Sequence, residues 1–199
     1  MVTYTSGFIG NFKLGDNIVH NLRILGALYL HQNSNDESHA ELLRKPIIIF
    51  IASIAEAILY DFYIVRIKTH TREGLPKISK KDQLLVAEKT IDEFAKYISH
   101  AKSKCWLGTG KDLYSELDEL RKLRNRVHIQ NEKSHFEADE LLAFSKERQI
   151  KSETVLEQLV QYMSKNYLRS QNRQHVPDIV LPWNTRLCAP HNMTPITQL

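Results

Sequence analysis

Hydrophobic residues recur along most of this chain at the spacing of one face of an α-helix. Between Asp16 and His31 they fall three or four positions apart, at Ile18, Leu22, Leu25 and Tyr29. This period matches the helical turn of about 3.6 residues and not the alternation of a β-strand. We therefore predict a first helix over residues 16–31, followed by a polar loop over residues 32–37.

A longer apolar stretch predicts a second helix over about residues 38–69. Pro46 lies inside it and is expected to kink the helix or to start a new segment. The part after Pro46 approaches the length of a membrane-spanning helix. Ser53, Glu56 and Asp61 interrupt this part, however, and acids inside a bilayer are costly. A central helix buried by its neighbours is the favoured interpretation, and no membrane partner is expected.

Helix-start signals divide the second half of the chain. Pairs typical of a capping box, a hydroxyl residue followed by an acid three positions later, occur at Ser79/Asp82, Thr109/Asp112 and Ser134/Glu137. With the apolar spacing that follows them, they predict a third helix over residues 79–104 and a fourth over residues 111–130. Apolar residues at helical spacing predict a last helix over residues 145–167.

The end of the chain has a different character. Residues 170–199 are rich in Asn, Gln, Pro and Thr and show little helical period. We predict a helical domain over residues 1–169 and an irregular tail over residues 170–199. Val176, Ile179 and Trp183 suggest that the tail docks on the body or on a partner. The expected fold class is an all-α bundle of about five helices, with no convincing strand.

Composition and charge indicate the class of protein and its cellular compartment, but they do not assign a function. At 199 residues, 42% of them hydrophobic, the chain can bury its own core as one globular domain. The formal net charge of +4 mildly favours anionic partners such as RNA. Cys105 and Cys188 have no zinc or redox spacing, and the first residues lack a signal-peptide pattern. These features favour a reduced, cytoplasmic setting.

A basic and polar cluster near the end of the fourth predicted helix is the best clue to function. On a helical wheel an arc of about 100° contains Arg121, Arg124, Asn125 and His128. An apolar stripe runs beside it through Leu113, Leu117, Leu120, Leu123 and Val127. Lys122 and Arg126 fall outside the arc and are expected to point into solvent.

The chemistry of this cluster suits the cleavage of phosphodiester bonds. A histidine can accept and donate protons near neutral pH, and an arginine binds phosphate oxygens through its planar fork of donors. Asn125 could orient a ribose or phosphate oxygen. Such a set could cleave RNA through its own 2′-hydroxyl, and no metal site is expected because ligand spacing is missing. The alternative is an ordinary solvated helix face.

The run from Leu120 to His128 resembles the motif of the HEPN family (higher eukaryotes and prokaryotes nucleotide-binding domains). Members carry an Arg, then four to six residues, then a His. Residues 52–61 also resemble the central helix of bacterial members, and the resemblance covers about residues 16–167. It implies a helical bundle that pairs as a homodimer, with the two motifs facing across a cleft. Many members are metal-independent endoribonucleases in toxin–antitoxin, phage-defence or RNA-processing systems.

The resemblance implies roles for individual residues. His128 would be the acid and base, and RNA would be the substrate, without a cofactor. Six residues separate Arg121 from His128, as the motif requires, whereas only three separate Arg124 from His128. Because Arg124-Asn125 resembles the Arg–polar pair of the family, both arginines stay candidates. Some members carry a Tyr shortly after the His, and residues 129–131 do not. That difference weakens an assignment to toxins paired with a nucleotidyltransferase.

Glu56 is a second candidate, because it shares one side of the apolar second helix with Ser53 and Tyr60. A buried carboxylate needs a partner, and we expect Glu56 to pair with Arg124 or His128. A purely structural pair is the alternative. Asp61 points to a different side and should meet water or a helix end.

Two function hypotheses from different classes follow. The first is a homodimeric HEPN-like endoribonuclease, with a protein antitoxin or regulator as an expected partner. The second is a non-catalytic HEPN-like module that binds a nucleotide, RNA or protein. A purely structural bundle stays open as a third.

Overall fold

The structure is a computed structural model that describes residues 1–34, 36–69, 75, 78–127, 140–169 and 176–187. In chain order the elements are β1 (Val2–Tyr4), α1 (Phe12–Ser34), α2 (Glu37–Tyr60), a π-helical segment (Asp61–Thr69), α3 (Lys80–Glu88), α4 (Phe94–Ser103), α5 (Lys111–Asn125), α6 (Glu140–Ala143), α7 (Lys146–Asn166) and β2 (Ile179–Leu181). The predicted all-α bundle is confirmed. The expectation that no strand forms is wrong, because β1 and β2 pair. Ser134 and Glu137 lie outside the described residues.

Helix α2 lies at the centre of the bundle. It packs against α1, α4, α5 and α7, and its inward residues, such as Ile47, Ile51 and Leu59, are fully buried. The helix runs without interruption through Pro46. The π-helical segment continues it, so the apolar stretch forms one long central element, as the sequence predicts.

The same element is long and apolar enough to cross a membrane. In the described part of the chain it is the one helix that meets this test, over Glu37–Lys68. Of its most apolar stretch, however, 61% is buried inside the fold. Burial of this kind is typical of the core helix of a soluble protein.

Helix boundaries differ from the sequence prediction at several places. Helix α1 continues to Ser34 through the predicted loop, and Gln32 donates to the Ala40 carbonyl at 3.0 Å. The third predicted helix is broken between α3 and α4. Ser79 is confirmed as the N-cap of α3, since its hydroxyl accepts the Asp82 N–H. The break buries Ile91 and leaves Leu84 exposed, which a continuous helix would not do.

Two fully buried carboxylates on α7 hold the end of the chain. Glu157 accepts hydrogen bonds from the Tyr4 hydroxyl (3.0 Å), the Trp183 indole N–H (3.3 Å), the Thr185 hydroxyl (2.5 Å) and the Arg186 N–H (2.8 Å). Glu153, one turn earlier, accepts from the Tyr29 hydroxyl and from Arg186 Nε at 2.6 Å. Buried charges need such donors. The segment of residues 176–187 therefore docks on the body, as its apolar residues suggest.

The two short strands complete this attachment. Strands β1 and β2 are antiparallel, with Val2 opposite Leu181 and Tyr4 opposite Ile179. Ile179 and Leu181 are fully buried, whereas Val180 between them is exposed. This alternation is the pattern of a strand with one face on the core.

Asp61 binds the two residues that lead into α1, so it meets a helix end, which is one of the two alternatives that the sequence left open. Its side chain is almost fully buried and accepts the N–H groups of Gly10 (2.7 Å) and Asn11 (2.9 Å). Burial raises the pKa of Asp61 to about 6, although these hydrogen bonds and the charges of Arg66 and Arg169 act in the opposite direction. The buried carboxylate therefore binds a proton more readily in the folded chain than in the unfolded chain.

This raised pKa predicts an unusual pH dependence of stability. Between about pH 7 and pH 4 the folded state takes up the Asp61 proton first, so acidification stabilises it through this group by about 2–3 kcal/mol. As the pH falls, the free energy of unfolding in urea should rise by this amount more for the wild type than for Asp61→Asn. Exposed Asp16→Asn is the matched control and should show no such change relative to the wild type. A stability difference between wild type and Asp61→Asn that is constant over this range would contradict the prediction.

Candidate functional site

Helix α5 carries the arginine cluster. Its N-cap lies one residue after Thr109, the predicted N-cap. Gly110 is the N-cap residue and makes no side-chain cap, so the predicted Thr109/Asp112 capping box is wrong. The predicted apolar stripe is confirmed for Leu117, Leu120 and Leu123, which are buried. The stripe packs α5 against its neighbours α2, α4 and α7.

The helix ends at Asn125, although the sequence predicted that it would continue to residue 130. The N–H groups of Arg126 and Val127 bond to carbonyls three residues back, Leu123 O and Arg124 O, each at 3.1 Å. Such bonds tighten a last turn and end the regular helix. Val127 is 47% exposed, so its predicted place in the apolar stripe is wrong.

His128 lies outside the described residues. The helical wheel that grouped it with Arg121, Arg124 and Asn125 applies only as far as the helix extends, and Asn125 is its last residue. The described part of the candidate site therefore consists of the two arginines, Asn125 and the residues that they contact.

Arg124 forms the ion pair that the sequence analysis suggested. Its Nη2 lies 2.8 Å from Oε2 of Glu56, which joins α5 to the central helix α2. The Arg124 side chain is 38% exposed and that of Glu56 is 25% exposed. Glu56 is thus partly buried, and the pair lies where protein and solvent meet. The contact is an ion pair that brings opposite charges of α5 and α2 together at the surface.

Arg121 pairs with a different acid on its own helix. Its Nε and Nη2 each lie 2.8 Å from Oδ1 of Asp118, and Lys122 Nζ lies 2.9 Å from Oδ2. Burial raises the pKa of Asp118, but the hydrogen bonds from Lys122 and Arg121 outweigh it and hold that pKa below its usual value. The Arg121 side chain is 23% exposed, less than that of Arg124.

Arg126 is buried, so the prediction that it points into solvent is wrong. Only 6% of the residue is exposed, and its Nε and Nη2 donate to Glu140 Oε1 at 3.1 and 2.9 Å. Glu140 also pairs with Lys45 of α2. The turn after Asn125 changes the direction of the chain, so the periodicity of α5 could not place Arg126. No sequence signal connects Glu140 to it.

The described residues thus provide a half-exposed arginine, a supporting carboxylate and a neighbouring amide. Asn125 is partly buried and is the last residue of α5. Within the described ranges no group of His, Cys, Asp and Glu side chains could hold a metal ion. This arrangement can bind an anion through Arg124, whose orientation is set by Glu56.

Comparison with models of protein families, with curated proteins and with solved structures yields no match for this chain. A functional interpretation therefore depends on the residues and their contacts alone. Fold by itself does not specify function, since one architecture supports many unrelated activities. The contact between Arg124 and Glu56 is thus the main structural observation on which a function can be proposed.

Proposed function

We propose that the chain is a metal-independent endoribonuclease of the HEPN type, acting in the cytoplasm as a homodimer. The Arg124–Glu56 ion pair is the observation that supports this proposal most directly. An ion pair positions the guanidinium group of Arg124, whose N–H groups can donate to a phosphate. Preorganised donors of this kind stabilise charge that develops in a transition state.

The reaction uses the 2′-hydroxyl of RNA as the nucleophile. His128 accepts the proton of the 2′-hydroxyl, and the 2′-oxygen forms a bond to phosphorus. The bond between phosphorus and the 5′-oxygen breaks, and that oxygen takes a proton from an imidazolium. The products are a 2′,3′-cyclic phosphate and a free 5′-hydroxyl. Arg124 stabilises the negative charge on the phosphate oxygens during this exchange.

Arg124 is the better candidate of the two arginines for the phosphate contact. It is more exposed than Arg121, since 38% of its side chain is exposed and only 23% of the Arg121 side chain. Arg121 directs two nitrogens at Asp118 and is less accessible. Arg121 then supports the local positive potential, and Asn125 orients a ribose or phosphate oxygen.

The homodimer brings two such sites together. On the central helix α2, Leu42 and Tyr60 are exposed, and Ser53 and Glu56 lie between them. A second copy that packs along this side of α2 would cover the apolar residues and place two Arg124 side chains at one cleft. RNA enters that cleft, and a protein antitoxin or regulator controls access in a toxin or phage-defence system.

The test is a cleavage assay with total cellular RNA in the presence of a chelator. Wild type should cleave, and Arg124→Ala should slow cleavage by at least about tenfold because one stabilising donor set is lost. Arg23→Ala, an exposed arginine on α1, is the matched control and should leave the rate unchanged. RNA binding without cleavage by wild type would instead establish a non-catalytic binding module. A wild-type protein that neither binds nor cleaves RNA would reject both functions.

A further inference from the structure

An open groove of about 460 Å³ lies between α4 and the loop that joins α3 to α4. Two lysines, one histidine and three hydroxyl residues line it together with one isoleucine, and within the described part of the chain no carboxylate lines it. None of these residues belongs to the Arg124 site. The volume lies in the range of small-molecule sites, and the polar, cationic lining suits an anionic ligand.

The break between α3 and α4 creates this groove. Lys89 is the C-cap of α3 and has an extended backbone, so the chain leaves the helix there. Ile91 then turns into the core and is only 5% exposed, whereas Thr90 before it stays exposed. On α4, Lys96 and His100 are four residues apart and share one helix face. The loop thus places Lys89 beside that face, close enough for its charge to act on His100.

The two lysines of the groove can both meet an anion. The Lys89 ammonium group has no hydrogen bond or ion pair with the described residues. Lys96 Nζ donates to Asp92 Oδ1 at 2.8 Å and lies 3.4 Å from Glu93 Oε1. These three side chains are 44–67% exposed, and exposed ion pairs contribute little to stability. Because an ammonium group has three donors, Lys96 can keep its bond to Asp92 and still bind a ligand.

His100 supplies a third donor once its ring is protonated. Its Nδ1 lies 3.3 Å from the Tyr63 hydroxyl, and that hydroxyl donates its single proton to the Tyr97 carbonyl at 3.1 Å. Nδ1 therefore carries a proton and donates to the Tyr63 oxygen. Nε2 has no partner among the described residues. Protonation of the ring turns Nε2 from an acceptor into a donor.

The charges around His100 favour an anion beside it. Burial lowers the pKa of His100, and the positive charges of Lys89 and Lys104 lower it further, while Asp82 opposes them. Lys104 Nζ donates to Asp82 Oδ1 at 2.7 Å, so Lys89 is the uncompensated charge among these groups. A negative ligand between Lys89 and His100 would relieve the repulsion between the lysine and the protonated ring.

We propose that this groove binds a phosphate group, either as free phosphate or as a phosphomonoester. Lys89 and Lys96 donate to its oxygens through their ammonium groups, and protonated His100 donates through Nε2. A phosphate group has three strong acceptor oxygens and up to two negative charges, which match these three cationic donors. The site is independent of the proposed ribonuclease activity, because none of the residues assigned to RNA cleavage takes part.

Titration of the full chain with sodium phosphate, followed by two-dimensional NMR at constant ionic strength, tests this proposal. Phosphate should give saturable shifts at Lys89, Thr90 and His100, with a dissociation constant below about 10 mM. Acetate has one charge and two oxygens, and it should bind at least about fivefold more weakly. Glycerol 3-phosphate distinguishes the two sources: tighter binding than inorganic phosphate identifies a phosphomonoester as the ligand, and equal binding identifies free phosphate.

The variant Lys89→Gln removes one of the proposed donors. It should weaken phosphate binding by at least about fivefold, and it should fold normally because the Lys89 side chain is exposed and has no partner among the described residues. Lys13→Gln, which replaces an exposed lysine on α1 outside the groove, is the matched control and should bind as wild type.

The pKa of His100 provides a second readout that does not depend on a variant. Sulfate keeps its two charges over the pH range in which histidine titrates, so it serves as the phosphate analogue here. Saturation with sulfate should raise the pKa of His100, since an anion beside the ring favours the imidazolium form. The exposed His20 on α1 should titrate unchanged.

Four results would overturn the proposal. The first is an absence of saturable shifts at the residues of the groove. The second is equal affinity for phosphate and acetate, which would show attraction to charge without recognition of phosphate. The third is unchanged affinity in a folded Lys89→Gln variant. The fourth is a pKa of His100 that does not respond to saturating sulfate, which would mean that the anion does not contact the ring.

Discussion

Replacing His128 with alanine is expected to slow RNA cleavage by about 10²–10⁴-fold, the usual contribution of a general acid or base. The 2′-hydroxyl is a weak nucleophile until its proton is removed, and alanine cannot accept that proton. Initial rates on a labelled single-stranded RNA, with a chelator present, measure the effect. His20→Ala replaces an exposed histidine on α1 and should cleave at the wild-type rate.

The same variant separates catalysis from binding. RNA affinity depends mainly on positive charge, and His128→Ala leaves Arg121 and Arg124 in place. Affinity should therefore change little while the cleavage rate falls. An unchanged cleavage rate in His128→Ala would reject the role of His128 as acid and base. A parallel loss of affinity and rate would mean that His128 binds RNA without moving a proton.

Replacing Trp183 with alanine is expected to lower the free energy of unfolding by about 3–5 kcal/mol. The indole is only 4% exposed, and its ring centroid lies 5.7 Å from that of Tyr29. Its N–H also donates to the buried Glu157. Alanine would leave a cavity and remove one donor from a fully buried carboxylate, so both the packing and the polar network lose stability.

Urea unfolding at neutral pH measures this loss. Val180→Ala is the matched control, because Val180 lies in the same segment but is 43% exposed. Its expected loss is below about 1 kcal/mol. Similar small losses in both variants would show that residues 176–187 contribute little to the fold, in contradiction to their burial.

The helical framework was predictable because it is encoded locally. Apolar residues at helical spacing identify α1, α2, α5 and α7, and the Ser79 cap marks the start of α3. The breaks were not predictable from the same signals. Leu84 and Leu85 continue the apolar pattern of α3 but are exposed, whereas Ile91, beyond the end of α3, is buried. Strand β1 pairs with β2 across nearly the whole chain, and no local pattern specifies such a partner.

The candidate site shows the same division. The pairing of Glu56 with Arg124 was predictable, since a carboxylate on an apolar helix requires a cation from a neighbouring element. The environment of Arg126 was not, because its burial depends on a turn that follows the last residue of α5 and on Glu140 in another element. Periodicity predicts side-chain direction only while the helix continues.

Pairing of the first strand with the last one has a consequence for biosynthesis. Val2 is made before all of these helices, but its partner Leu181 is made only after them. Until Trp183 and Arg186 emerge, Glu153 and Glu157 lack several of the donors that surround them in the finished protein. The nascent bundle therefore remains incomplete until residues 176–187 have been made, and it is in this interval that a chaperone would find its most exposed surface.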